Sequence, residues 1–106
     1  MEEYVNYVKI SGMLDKVNRR ESGSFFARLV QSGLLGNVRS EHFYELYISS
    51  EDSQIQKFLV AGTWHMVEGK LTIFKSRYGH KMIIHVKNII PLEDNHPNVN
   101  EIHFDK

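Results

Sequence analysis

The chain predicts an all-β fold: a five-stranded Greek-key barrel with a short helix between the third and fourth strands. Three observations predict it. Five runs of alternating or β-branched residues are separated by polar turns. The one stretch with helical spacing, residues 50–61, falls between the third and fourth runs. Glycines stand inside two of the long runs, where a bulge, a bend or a close backbone approach lets a small barrel turn its corner. Helices do not alternate with strands, so no βαβ scheme fits. A twisted hairpin in an open sheet is the alternative for the last two strands.

Residues 4–17 make the first predicted strand. Val8, Ile10, Gly12 and Leu14 share one face, and Tyr7, Lys9, Ser11 and Met13 the other. Gly12 invites a bend. Residues 18–24, NRRESGS, form a polar turn from which Arg19 and Arg20 project. Residues 25–35 make the second strand, with Ala27 and Leu29 on one side and Phe26, Arg28 and Val30 on the other. Gly33 and Gly36 weaken its end, so residues 32–41 are expected to form a long loop. Leu34 and Leu35 in it fold back on the core or enter an interface.

Residues 42–50 make the third strand. Tyr44, Leu46 and Ile48 continue the core face; Phe43, Glu45 and Tyr47 lie opposite. Residues 50–61 are the predicted helix, capped by Ser50, with Glu51 and Asp52 at its positive end. Its apolar face is Ile55, Phe58 and Leu59, and Gly62 closes it. In the fourth strand, residues 63–74, His65, Val67, Gly69, Leu71 and Ile73 share one face. Trp64, Met66, Glu68, Lys70, Thr72 and Phe74 share the other. Gly69 is its interior glycine. Tyr78-Gly79 is turn chemistry, and residues 78–92 are rich in β-branched residues. The barrel is expected over about 4–92. Residues 93–106 are a mostly irregular extension, in which Val99, Ile102 and Phe104 can supply a short edge segment or an intersubunit contact.

A chain of 106 residues supports one domain with a modest core. Apolar residues make up 42%, and 13 basic residues balance 13 acidic ones, a folded composition. There is no cysteine, hence no disulfide framework or thiolate site. No apolar run is long enough to span a membrane. The start, MEEYVNYV, lacks the basic opening of a signal peptide. A cytoplasmic location without membrane partners is therefore expected.

The charge is segregated. Lys70, Lys75, Arg77, Lys81 and Lys87 lie between Lys70 and Ile90 with no acid among them. After that, Glu93, Asp94, Glu101 and Asp105 face one lysine. Arg77, Tyr78, His80 and Lys81 crowd the last predicted turn. Such a turn can clamp a single nucleic-acid strand, cations on phosphate and ring on base. A solvated β-turn is the other reading. Lys70, Lys75 and Lys87 would widen the patch, and Arg19, Arg20 and Arg28 would continue it. Phe25, Phe26 and Arg28 add aromatics interleaved with a cation, which core packing explains equally well. The six histidines form no metal-binding signature. There is no nucleophile elbow, no locatable carboxylate pair and no glycine-rich phosphate loop. No cofactor and no catalysis are expected.

These residues carry a resemblance. Asn6-Tyr7-Val8-Lys9-Ile10-Ser11-Gly12-Met13-Leu14 is similar to the opening strand of the bacterial single-stranded DNA-binding proteins and of their small relative, primosomal replication protein N. Residues 23–29 resemble that family's Gly-x-x-x-Ala-x-Phe run, with Leu29 in place of the aromatic. Residues 62–71, Gly-x-x-x-x-Val-Glu-Gly-x-Leu, resemble its fourth strand, and residues 84–92 its closing strand. The match spans about residues 6–92 and lies in the order and spacing of the motifs together. The resemblance implies an OB fold that binds single-stranded DNA in replication or repair with little sequence preference. Bases would stack on outward rings, and lysines and arginines would hold the backbone. Phe43 falls where the family often has a stacking tryptophan, Tyr47 shares its strand face, and Phe74 extends the row toward the basic turn. The resemblance also implies a homo-dimer or homo-tetramer.

Three departures qualify the match. Glu45 stands where a basic residue is common. The last turn is short, so the family's long wrapping hairpin is expected to be missing. The chain ends at HFDK without the linker and acidic tip that recruit partners; the last two points favour the small primosomal type, or a stand-alone relative, over the full-length binding protein. Alternatives stay open at this point. Trp64 either stacks a base or is structural. Phe43 and Tyr47 either stack bases or lie in an oligomer interface. The domain either binds DNA, binds RNA, or is a protein-interaction subunit of a replication complex.

Overall fold

In the computed structural model, residues 6–35 and 37–92 are described. The expectations for residues 4 and 5, for Gly36, for the Leu34 and Leu35 side chains and for the extension 93–106 lie outside the described residues. Alternating side chains build five strands: β1 (Val8–Arg19), β2 (Phe25–Leu35), β3 (Val38–Ile48), β4 (Trp64–Ser76) and β5 (Gly79–Pro91), with α1 (Ser53–Gln56) between β3 and β4. They close into a barrel in the order β1-β2-β3-β5-β4, with only β3 and β5 parallel. This is the OB fold. The open-sheet alternative is overturned by that closure.

One face of each strand fills the barrel. Leu14, Leu29, Leu46, Ile48, Val67 and Val86 have no exposed surface. Each such side chain contributes about 1.5–3 kcal/mol by leaving water. Ile55 and Leu59 pack onto the same cluster, with Phe58 against it. The expected core face of β3 is therefore the observed one, and in β2 the side that carries Ala27 and Leu29 is the inner one.

Several boundaries differ. The segment 32–41 is not a loop: β2 and β3 pair without interruption from Phe25↔Ile48 to Leu35↔Val38. Ladder hydrogen bonds outweigh the low strand propensity of Gly33. Arg19 lies within β1, and the turn itself runs from Arg20 to Gly23, closed by Gly23 N donating to Arg20 O at 2.9 Å. The helix is much shorter than 50–61. Asp52, not Ser50, occupies its cap position, without a side-chain hydrogen bond. Beyond Gln56 the backbone turns through short-range bonds, Phe58 N to Ile55 O and Leu59 N to Gln56 O. The chain then attaches to β1, with Gly62 N donating to Leu14 O and Leu14 N to Thr63 O. Those groups serve the barrel wall instead of a longer helix.

The two interior glycines allow close approaches. A Cβ at Gly12 would collide with the carbonyl of Val30, and one at Gly69 with the carbonyl of His85. Gly12 therefore marks a tight β1–β2 contact. The register shift in β1 lies between Leu14 and Lys16. At Gly69 the β4–β5 register does slip, leaving Lys87 as the extra residue between Val86 and Asn88.

Beyond Gly69 β4 parts from β1, and past Leu71↔Ile84, where β5 still pairs with β3, the two strands run on as an arm. Leu71 and Ile73, expected on the core face, are 42% and 55% exposed. The pairing of β4 with β1 ends at Val8↔Gly69. The Asn6 side-chain amide extends it by one step, donating to Leu71 O at 2.8 Å and accepting from Leu71 N at 2.9 Å. The arm also corrects the expectation of a missing hairpin. Arg77 and Tyr78 alone bridge the strands, yet pairing continues from Gly69↔Val86 out to Ser76↔Gly79. Gly79 takes a φ of +121°, which suits the tight turn.

Candidate nucleic-acid interface

The alternation that buries Ala27, Leu29, Leu46 and Ile48 turns their neighbours outward. Across β2 and β3 the outer pairs are Phe26↔Tyr47, Arg28↔Glu45 and Val30↔Phe43. Parallel pairing sets His85 of β5 beside Tyr47. The result is a continuous ring row. Phe74 meets Phe26 edge-on at 5.6 Å between centroids, Phe26 meets Tyr47 at 5.4 Å, and Tyr47 meets His85 at 5.2 Å. Phe43, four residues from Tyr47 along the same face of β3, is half exposed. Cations cover some of these rings: Arg20 lies 5.0 Å over Phe26 and Arg28 4.6 Å over Phe43.

The β1 bulge sets the electrostatics. With Leu14 and Val17 directed at the core, Asp15 and Lys16 both reach the outer surface. Asp15 accepts two hydrogen bonds from Arg28, at 2.9 Å from Nε and 2.6 Å from Nη2. This fork holds the Asp15 carboxyl below the usual carboxylate range and raises the Arg28 guanidinium further. Arg28 is thus oriented for the Phe43 face but already engaged. Burial pushes the His85 imidazole below its ordinary value, helped by Lys87 and Lys70 and opposed by Asp52. Its buried Nε2 has no hydrogen-bond partner among the described residues.

Of the residues singled out in sequence, Arg20, Arg28, Phe43, Tyr47, Phe74 and Lys81 come together here. Lys81 pairs with Phe74 across the arm, and Lys70 with His85. Lys75, Arg77 and Tyr78 stand at the arm's tip, where Tyr78 is 89% exposed under the Arg77 guanidinium at 5.6 Å. Arg19 pairs with Phe25 and so falls one residue out of phase with the Phe26 row. Trp64 is on the barrel's outside but displaced: the register runs Trp64, Met13, Val30, Phe43 across β4, β1, β2 and β3. Three strand spacings, roughly 14 Å, separate it from Phe43.

Lys16 and His85 belong to this surface and were not among the sequence candidates; Phe26, read in sequence either as part of a nucleic-acid signal or as core packing, also lies on it. The outward phase of Phe26 with Arg28 was a usable signal. The place of His85 depends on the parallel β3–β5 contact, which no local pattern encodes. Among the described residues, no group of three or more histidine or acidic side chains is placed to hold a metal ion, and no helix is long and apolar enough to cross a membrane.

No known family profile matches the sequence, and no curated protein matches it. Solved structures do. A small single-stranded DNA-binding protein from Mycoplasma pneumoniae superposes with a TM-score of 0.68 at 16% identity, over 82% of this chain and 93% of that one. The Plasmodium falciparum SSB in complex with single-stranded DNA gives 0.68 at 14%, over 88% and 99%. The mitochondrial single-stranded DNA-binding protein Rim1 of S. cerevisiae gives 0.64 at 12%, over 85% and 97%. These likenesses establish the shared fold.

Proposed function

From that fold and the outer surface of β2, β3 and the arm, we propose that this chain is a non-enzymatic module that binds single-stranded DNA. The observation that carries the reading is the ring row Phe74–Phe26–Tyr47–His85, with Phe43 beside it and cations over or alongside the rings. Bases stack on Phe43, Tyr47, Phe26 and Phe74; Arg20, Arg28 and Lys81 hold phosphates. Lys70, Lys75, Arg77 and Tyr78 carry the path along the arm. Arg19 lies beside it, and Trp64 stands apart from it, three strands from Phe43. Aromatic stacking accepts any base, so most of the strand is bound without sequence preference. The solved structures of similar shape include one holding single-stranded DNA, which agrees with this reading.

Self-association as a dimer or tetramer belongs to the same proposal. Val38, Ile73 and Met82 are each more than half exposed, apolar surface that a second copy would cover. Sedimentation equilibrium tests it. Replication or repair is the proposed setting. A protein-interaction role is the second reading, favoured by the Glu45 acid at the centre of the surface and by an apolar cleft between Val8, Phe43, Leu71 and Met82.

The test is anisotropy of a labelled oligo-dT titrated at about 50 mM salt. Saturable binding that weakens with salt is expected. No binding up to about 100 µM protein, weaker than typical non-specific association, ends the DNA reading.

A further inference from the structure

The outer row of β3 reads Phe43, Glu45, Tyr47: a carboxylate between two rings. Glu45 is half-buried and central. It lines a cleft with Phe26, Lys16 and Arg28, a second with Phe26, Phe74 and Lys81, and a third with Phe43 and Leu71. Its cross-strand neighbour Arg28 does not neutralise it by hydrogen bonding, because the Arg28 fork is given to Asp15. Among the described residues Glu45 has no ion-pair partner.

A carboxylate accepts hydrogen bonds and repels phosphate. Placed within a row of stacking rings, it presents an acceptor to the edge of a stacked base. Cytosine N4, adenine N6 and the N1–H and N2 amine of guanine supply such donors, and carboxylate to cytosine N4 is an established pairing. Thymine has no exocyclic amine, and its single N3–H donor is flanked on both sides by carbonyl oxygens that repel a carboxylate. The geometry points to Glu45 as a base-selecting residue: at the nucleotide held between Phe43 and Tyr47, the protein prefers an amino-bearing base over thymine. This rests on the DNA-binding reading and adds one selective position to an otherwise indifferent strand.

The test compares oligo-dC and oligo-dT of equal length above pH 7, by anisotropy, for the wild type, Glu45→Gln and Glu45→Asp. The ratio of the dT to the dC dissociation constants is the readout. Glu45→Gln, which keeps the shape but can donate to thymine O4, is expected to lower that ratio about fivefold or more, the low end for one good base contact. It should also tighten oligo-dT by removing the negative charge. Glu45→Asp retracts the carboxylate by one methylene and should lower the ratio while leaving the charge in place. A ratio unchanged in both variants, with binding intact, overturns this inference alone. A wild type that binds neither oligonucleotide removes the DNA reading and this inference together.

Discussion

From Trp64 to Gly69, β4 alternates between half-buried and buried residues; from Lys70 to Ser76 every residue is exposed. Its partner does the same in reverse, exposed from Gly79 to Met82 and largely buried from Ile83 to Val86. One hairpin thus lives in two settings. In the wall half, β1 lies on the other side of β4 and the curved sheet encloses a core. In the arm half, β5 is the strand paired with it, and the same apolar alternation, Leu71 and Ile73, faces outward. Periodicity therefore reports a strand and its phase. It does not report whether a second neighbour is present to make that phase a core.

The largest contrast should come from cutting one side chain in each half of the architecture. Leu46→Ala, at a site with no exposure, is expected to cost about 2–5 kcal/mol in urea unfolding. Ile73→Ala on the arm should stay within about 0.5 kcal/mol. Comparable losses would show that the arm is packed in solution, against a second copy or otherwise. Gly69→Val strikes the junction itself. Its side chain would meet the His85 carbonyl, and over-packing of this kind costs about 1–3 kcal/mol. Because His85 stands in the ring row, oligonucleotide affinity should fall with it, whereas a stability loss without an affinity loss would separate junction from interface.

The arm's contribution to binding should appear in salt dependence. Replacing Lys75, Arg77 and Lys81 by alanine is expected to flatten the plot of log affinity against log salt by about 0.7 for each phosphate that is no longer neutralised. An unchanged slope would confine binding to the barrel wall.

The smallest effect concerns pH. His65 is buried in the wall, and burial holds its folded pKa below the unfolded value near 6.5. As pH falls through that value the unfolded chain takes up the proton first, so stability is full above it and declines below. Melting temperature between about pH 8 and pH 5 measures this, and His65→Gln should reduce the slope.

The barrel is legible in sequence because its inner faces are written at period two. Ala27, Leu29, Leu46, Ile48 and Val67 alternate with outward neighbours that include Arg28, Glu45, Tyr47 and Glu68, and the turn at Gly79 announces itself. The helix reads too long because Ile55, Phe58 and Leu59 keep helical spacing while their backbone is drawn into turns and onto β1. Residues 32–41 read as a loop because a glycine-rich local signal says nothing of the strand pairing that overrides it. In the site, Phe43, Tyr47 and Phe74 can be phased from their own strands. The Asp15–Arg28 fork cannot, since it depends on a bulge that changes the phase of β1.

The arm is tethered at its root by the Asn6 amide, which gives a hydrogen to one backbone oxygen of Leu71 and takes one from its nitrogen. That choice of residue ties the hairpin to a slow chemical clock. Loss of ammonia from Asn6 would leave a carboxylate still able to accept from Leu71 N–H, but with a second oxygen where the donor had been, facing the Leu71 carbonyl. Aged protein would keep its barrel and loosen its arm, and an old preparation would differ from a fresh one first at that joint.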